Sequence, residues 1–258
     1  MKKTQILIAL VATSMAAQAG TAFRDTFDTA NTTDINSNYA SRQSGGLISG
    51  NYTGNQDWYR IVGNRLVQTG GGEVVLNANL AAIVGNNFEM SFKQTMLLTN
   101  ANWAALYLTS ATEPTRGNSR LGFHVWGTQA ATVYTVYGGI GAAGAAYTAT
   151  AKNPAQMNAL WQENFGTDFD RTAEHLIEFI STEGSGGTNT FDFVVDGVVV
   201  IDDKVYAFND DTVRQIEMVS TIPNSTTDDL QVLYDDLTVD GFVPSLSTIE
   251  LIGISDPL

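Results

Sequence analysis

Residues 191–200 read Phe191-Asp192-Phe193-Val194-Val195-Asp196-Gly197-Val198-Val199-Val200, and this stretch decides the fold class of the chain. Two apolar runs rich in β-branched residues flank an Asp-Gly pair. The two central residues of the tightest hairpin turns adopt positive φ angles, which Asp and Gly tolerate. The pattern therefore predicts two antiparallel strands joined by a two-residue turn.

The same period of two recurs earlier in the chain. In residues 88–93 apolar residues alternate with polar ones, as in a strand with one buried face. In residues 103–108 and 120–126 a more aliphatic face alternates with a more aromatic one. A single short helix is predicted at Pro154–Asn164, because Asn153-Pro154 resembles an N-cap followed by proline at the first helical position. Many short strands and one helix favour an all-β antiparallel sandwich over a βαβ fold.

The first residues have the pattern of a secretory signal peptide. Lys2 and Lys3 precede an apolar stretch too short to span a bilayer, and Ala17-Gln18-Ala19 has the small-x-small pattern of a cleavage site. We therefore expect a signal peptide at 1–19, a β-sandwich domain at 20–242 and a β-prone tail at 243–258. The expected location is extracellular or at the cell surface, with the periplasm as an alternative.

The composition narrows the classes of partner. The formal net charge is −14, and no basic patch interrupts it, so nucleic acid is not an expected partner. The chain has no cysteine, which excludes disulfides and thiolate metal sites. After residue 19 no apolar run is long enough for a transmembrane helix.

Three short motifs, taken in order, resemble the concanavalin A-like lectin/glucanase superfamily in its laminin G-like jelly-roll branch. They are Phe23-Arg24-Asp25-Thr26-Phe27-Asp28 as an opening strand, the hairpin at 193–200, and Tyr234-Asp235-Asp236-Leu237-Thr238-Val239 as a closing strand. The resemblance implies a jelly roll of two sheets, a last strand that pairs near the first, often a structural calcium and often a bound glycan. It does not fix the function, since relatives include lectins, hydrolases, lyases and scaffold modules.

A catalytic site is not predicted. Glucanase relatives place acidic residues at i, i+2 and i+4 of one strand, so that all face the cleft, and a pair of them flanks the scissile bond. The nearest approach here is Glu174 and Glu178, with Leu176 in the middle position. This departure argues against hydrolase activity, and the two acids are interpreted as ordinary strand residues.

Calcium is the expected cofactor, in a structural role. The ion takes six to eight oxygen ligands, which Asp side chains and loop carbonyls supply. The candidate ligands are Asp25, Asp28, Asp235 and Asp236, because the opening and closing segments of a jelly roll should meet. The alternative is that these aspartates cap strand ends or are solvated.

Carbohydrate binding would require an aromatic platform beside hydrogen-bonding groups, because a ring offers apolar area to the C–H face of a sugar. The candidates are Trp103, Tyr107, His124 and Trp126, which lie opposite the more aliphatic faces of their strands. The alternative is packing in the core or at its rim. The other histidine, His175, stands near a strand start with no evident partner in the sequence.

Three functions remain open. The first is an exported, non-catalytic jelly-roll protein that binds a glycan at the cell surface or in its matrix. The second is a structural subunit of a surface layer, fibre or sheath, which assembles through calcium and strand addition by the tail. The third is a polysaccharide-cleaving enzyme with an unfamiliar site.

Overall fold

The structure is a computed structural model that describes residues 19–45, 51–76, 87–98, 102–110, 120–126, 131–136, 154–166, 169–170, 172–183, 189–206, 214–222 and 232–242. The strands are β1 (Ala19–Asp25), β2 (Gln43–Ser44), β3 (Tyr52–Gly54), β4 (Tyr59–Val62), β5 (Arg65–Gln68), β6 (Gly72–Leu76), β7 (Phe88–Met96), β8 (Trp103–Ser110), β9 (Arg120–Trp126), β10 (Ala131–Val136), β11 (His175–Glu183), β12 (Asn189–Val195), β13 (Val198–Tyr206), β14 (Arg214–Ser220) and β15 (Val232–Phe242). The helices are α1 (Tyr39–Arg42) and α2 (Pro154–Phe165), with one 3₁₀ turn at Gln56–Trp58.

These strands form two antiparallel sheets. The nine-stranded sheet has the order β13-β12-β11-β7-β15-β1-β2, with the β4–β5 hairpin attached through β5 to β15. The six-stranded sheet has the order β10-β9-β8-β14-β6-β3. Strand β1 pairs antiparallel with the second half of β15, from Ala19 opposite Phe242 to Asp25 opposite Leu237, as the resemblance implied.

The core lies between the two sheets. In β7 the alternation puts Phe88, Met90 and Phe92 in the core and Glu89 on the outer face, half-buried. The two layers are in direct contact, since the rings of Phe123 in the six-stranded sheet and Phe193 in the nine-stranded sheet lie 5.2 Å apart. The predicted antiparallel β-sandwich is therefore confirmed.

The hairpin at 191–200 forms as its sequence predicts. Asp196 has φ +50° and Gly197 has φ +76°, and these two residues alone connect β12 to β13. A side chain with a branched Cβ would be strained at either position. The turn thus sets the register in which Val195 pairs with Val198.

The predicted helix is present and one residue longer than expected. Helix α2 places Trp161 in the core, where its ring packs edge-on against Phe123 at 6.1 Å. The single turn of helix α1, at Tyr39–Arg42, was not predicted. Among the described residues, no helix is both long and apolar enough to cross a membrane.

Candidate functional site

The outer face of the six-stranded sheet carries a cluster of aromatic and ionisable side chains, which we call the aromatic face: Trp103, Tyr107, His124 and Glu217. The cross-strand register brings them together, because Ala105 pairs with His124 and Tyr107 pairs with Glu217. Residues that pair directly share a face of the sheet. Three of the four predicted carbohydrate-binding residues therefore lie in one cluster.

Strand β8 positions two of these side chains through simple alternation. Ala104, Leu106 and Leu108 belong to the main core, whereas Ala105 and Tyr107 form a second, smaller apolar cluster against which Trp103 packs. One face of β8 therefore packs in the main core, and the other face packs in the smaller outer cluster. Such a strand reads as nearly continuously apolar.

Gly122 determines how Tyr107 lies. A Cβ atom built on Gly122 would stand 2.2 Å from the Leu106 carbonyl oxygen and 2.7 Å from Cδ1 of Tyr107. Only a glycine lets the tyrosine ring lie across strand β9 at this point. The phenol then reaches along the strand, and its hydroxyl hydrogen-bonds Nδ1 of His124 at 3.3 Å.

His124 is the centre of the aromatic face. Its ring lies 4.2 Å from that of Trp103, tilted by 44°, and its side chain is buried. Burial lowers the pKa of His124 to about 3, so the imidazole is neutral at physiological pH. A neutral imidazole offers one donor and one acceptor nitrogen, which suits it to hydrogen-bonding a neutral partner.

Glu217 was missed at the sequence level. It stands on β14 between Tyr107 of β8 and Val75 of β6, and it is only 3% exposed. The signal that could have found it is the alternation in β14, where Ile216 and Met218 face the core and Glu217 faces outward. Its proximity to Tyr107 depends on the pairing of strands 110 residues apart, which no local pattern reveals.

Trp126, the fourth predicted aromatic, pairs with Trp103 in the register of β8 and β9. Position 126 is therefore on the same face of the sheet as Trp103. Its side chain is outside the described part of the chain. The predicted tail at 243–258 and residues 1–18 of the predicted signal peptide are also outside it.

Glu174 and Glu178 belong to the other sheet. Glu174 directly precedes β11 and forms an ion pair of 2.7 Å with Arg65, and Glu178 is half-buried opposite Ser91 of β7. Burial, and secondarily Asp196, raises the pKa of Glu178 above its usual range. Neither acid belongs to the aromatic face.

Of the predicted calcium ligands, Asp25 is fully buried and surrounded by donors from the protein. Its Oδ1 accepts the Phe27 N–H at 3.0 Å and lies 3.2 Å from the Arg42 Nε. Its Oδ2 accepts hydrogen bonds of 3.0 Å from the Gln43 amide and the Tyr52 hydroxyl. Both oxygens are thus engaged by the chain itself.

The other three candidates are more open to solvent. Asp28 is exposed, and Asp235 accepts the backbone N–H of Asp236 at 2.8 Å. Asp236 binds two cations, Arg24 at 2.9 Å and Lys93 at 2.6 Å. Within the described ranges these aspartates do not form a group of three converging carboxylates, and calcium binding by them stays a prediction.

A different acidic group does converge. Asp192, Asp202 and Asp203, on β12 and β13, each place one oxygen within 4.8 Å of the others. The N–H of Asp203 also donates to Asp192 at 2.8 Å. Carboxylate oxygens at this spacing are able to hold a metal ion such as calcium.

No protein-family model matches the chain, and no protein of curated function is similar to it in sequence at a significant level. Solved structures are similar in fold. An endo-β-1,3-glucanase from Pyrococcus furiosus superposes with a TM-score of 0.56 at 12% identity, over 87% of this chain and 95% of that chain.

Two further structures have the same fold. An alginate lyase in complex with an alginate tetrasaccharide has a TM-score of 0.50 at 12% identity, over 87% of this chain and 98% of that chain. The carbohydrate recognition domain of Emp46p, in a potassium-bound form, has a TM-score of 0.50 at 10% identity, over 82% and 95%. These similarities confirm the predicted jelly-roll sandwich.

Proposed function

We propose that the aromatic face binds carbohydrate and that the chain is a non-catalytic jelly-roll protein. The observation that carries this proposal is the juxtaposition of a partly exposed Trp103 ring with the buried polar groups of Tyr107, His124 and Glu217. A sugar ring stacks its C–H face on an aromatic ring, and its hydroxyls need positioned hydrogen-bonding groups nearby. The aromatic face offers both.

The structural neighbours support the same class of ligand. They include a glucanase, a lyase bound to an alginate tetrasaccharide and a carbohydrate recognition domain. Their sequences are too distant to transfer any residue's role. Their common fold supports a place for this chain in the concanavalin A-like superfamily.

The chemistry of the face favours binding over hydrolysis. Glycoside hydrolysis uses two carboxyl groups on opposite sides of the scissile bond. Among the outward positions of β6, β8, β9 and β14 with described side chains, the acids are Glu217, which is buried, and Glu73, which lies opposite Val219. Within the aromatic face itself Glu217 is the one carboxylate, and a carboxylate beside a neutral histidine supports recognition of hydroxyl groups.

We also propose that the chain is exported and acts outside the inner membrane. The support is the sequence pattern of residues 1–19 and the acidic, cysteine-free composition. A structural calcium is proposed as well, and the converging carboxylates of Asp192, Asp202 and Asp203 offer it a site. The structural-subunit hypothesis depends on the tail and stays a prediction.

A glycan array followed by calorimetry, with calcium present, tests the carbohydrate proposal. We expect binding by the native protein and at least a tenfold weaker affinity for Trp103→Ala, because the variant loses the stacking surface. The matched control is Val199→Ala, which trims an exposed apolar side chain on the opposite sheet and leaves affinity unchanged. No binding across a broad array, or equal binding by Trp103→Ala, would refute the proposal.

One observation favours another of the three functions considered from the sequence, a polysaccharide-cleaving enzyme. The Tyr107 hydroxyl and the His124 imidazole hydrogen-bond each other, and tyrosine and histidine are both side chains that serve as general acids or bases. Release of reducing ends, or absorbance from unsaturated products, on a panel of polysaccharides would reveal this activity. Its loss in both Tyr107→Phe and His124→Gln would place the chemistry at the aromatic face.

A further inference from the structure

The second histidine, His175, lies between two hydrogen-bond acceptors. Its Nδ1 is 2.8 Å from Oδ2 of Asp196, and its Nε2 is 2.7 Å from the backbone carbonyl oxygen of Asp170. Asp196 belongs to the turn between β12 and β13, and Asp170 to the connection between α2 and β11. One imidazole therefore joins two segments that are distant in sequence.

The chemistry of this arrangement requires two hydrogens on the ring. A backbone carbonyl accepts hydrogen bonds and never donates them, and an ionised carboxylate likewise only accepts. A neutral imidazole carries a single N–H, so it satisfies one of the two acceptors and leaves the other facing a lone pair. The imidazolium form donates to both.

We propose that His175 is a pH-sensitive clasp, which ties the α2–β11 connection to the β12–β13 turn while doubly protonated and releases one of them on losing a proton. The clasp is closed at acidic pH and opens as the pH rises. The clasp stabilises the folded state while the imidazole is charged, and this stabilisation is lost when the imidazole becomes neutral.

The charged groups around the clasp are consistent with a cation at its centre. The titratable groups described near His175 are Asp170, Glu174, Glu178 and Asp196. The side chain of Asp170 accepts two hydrogen bonds from Thr172, which lower its pKa, with a smaller contribution from His175.

Two basic side chains of the same sheet are engaged elsewhere. Arg65 pairs with Glu174, and Lys93 pairs with Asp236. No described cation therefore competes with His175 for Asp196. The imidazolium is the group that neutralises this carboxylate.

The clasp supports the packing of helix α2. The ring of Phe169 stacks on His175 at 4.5 Å on one side and on Trp161 of α2 at 4.7 Å on the other. This stack continues into the core, where Trp161 meets Phe123. Release of the Asp170 carbonyl would loosen the stack and with it the end of α2.

Asp196 gives the proposal a matched variant. Its Oδ1 accepts the Leu176 N–H at 2.9 Å, and its backbone has φ +50°. Asparagine tolerates this conformation and keeps an acceptor oxygen for Leu176. Its amide nitrogen, however, donates a hydrogen bond, so Asp196→Asn matches a neutral His175 with a lone pair on Nδ1 and the hydrogen on Nε2.

Nitrogen-15 NMR of the imidazole rings measures directly which ring nitrogens of His175 carry hydrogen. The measurement is made at about pH 6, near the pH at which histidine ordinarily titrates. The chain has two histidines, and the buried His124, with a pKa of about 3, is neutral at that pH and acts as an internal reference. We expect both nitrogens of His175 to be protonated in the native protein. In Asp196→Asn we expect the neutral ring with its hydrogen on Nε2.

Hydrogen exchange of backbone amides tests whether loss of the proton releases the two segments that His175 joins. As the pH rises from about 6 to about 8, and after correction for intrinsic rates, exchange at the end of α2 and in the β12–β13 turn should become about three- to tenfold faster in the native protein. This range corresponds to losing one partly exposed, charge-assisted hydrogen bond. His175→Phe retains a ring to stack on Phe169 but cannot titrate, so its corrected rates should not change with pH.

The two measurements also define failure. A neutral His175 in the native protein at about pH 6, or an imidazolium that persists in Asp196→Asn, would overturn the clasp. So would corrected exchange rates that change equally with pH in the native protein and in His175→Phe. The native spectrum alone gives an answer if a variant folds poorly.

Discussion

The carboxylate of Asp25 and the guanidinium of Arg42 form an ion pair of 3.2 Å in which neither side chain is exposed. Asp25 ends the first strand of the nine-stranded sheet, and it also accepts a hydrogen bond from Tyr52 in the six-stranded sheet. This buried polar group therefore fastens one sheet to the other at one end of the sandwich. Burial raises the pKa of Asp25, and Arg42 opposes that shift.

Removal of the Asp25 charge should destabilise the protein strongly. In Asp25→Asn the Arg42 guanidinium stays buried without its counter-ion, and breaking a buried pair in this way costs about 3–5 kcal/mol. Urea unfolding measures the loss. The control is Asp28→Asn, an exposed site nearby, for which we expect a change within about 0.5 kcal/mol. A loss below about 1 kcal/mol in Asp25→Asn would contradict the assigned role.

Asp236 should contribute to acid denaturation. Its hydrogen bond from Lys93, and then its pairing with Arg24, lower its pKa below the usual value against a smaller opposing effect of burial. The Asp236 carboxylate thus takes up a proton less readily in the folded state than in the unfolded state. Ionised Asp236 therefore stabilises the folded state above the ordinary pKa of 3.8, and this stabilisation is lost as the pH falls further. Asp236→Asn should flatten the stability curve between about pH 4 and 2. An unchanged slope in that range would contradict this assignment.

His124 should make the protein less stable in mild acid. Burial holds its pKa at about 3 in the folded state, against the ordinary value of 6.5, so the unfolded chain takes up the proton first. Stability is therefore full above 6.5 and declines as the pH falls towards 3. Melting temperatures of native protein and His124→Gln should converge over this range.

Gly122→Ala should distort the aromatic face. The new methyl group would overlap the Leu106 carbonyl, which belongs to the backbone and moves only with the sheet, and overpacking of this kind costs about 1–3 kcal/mol. Tyr107 should be displaced, which breaks its hydrogen bond to His124. Thermal unfolding and the tyrosine–histidine contacts seen by NMR measure both effects. Gly20→Ala is the control, because its Cβ meets no atom within 4 Å; equal behaviour of the two variants would count against the close packing.

The fold was predictable because its signals are local. Alternation in Phe88–Met96 places every second side chain in the core, and the Asp196-Gly197 turn needs only its own two residues to fix the hairpin. The start of α2 followed from the Asn153-Pro154 pair alone. Each of these patterns acts within a few residues, so no knowledge of the tertiary structure was needed.

The sites were less predictable because they depend on strand order. The positions of Trp103 and Tyr107 followed from the alternation in β8, but Glu217 joins them only through the pairing of β8 with β14. The partner of His175 is a turn residue 21 positions away, and its second acceptor is a backbone carbonyl, which no side-chain motif records. Asp25 stays a predicted calcium ligand, but its protein partners Tyr52 and Arg42 come from other segments, and no local pattern revealed them.

The pairing of β1 with β15 has a consequence for biosynthesis. Residues 232–242 lie between β7 and β1, so both of those strands lack their central neighbour until the end of the domain has been translated. Closing a loop of this length is entropically unfavourable, so we expect this sheet to form only late in synthesis. For a polypeptide that must be threaded through an export channel, as we propose, this delay keeps it competent for translocation and leaves folding to the far side of the membrane.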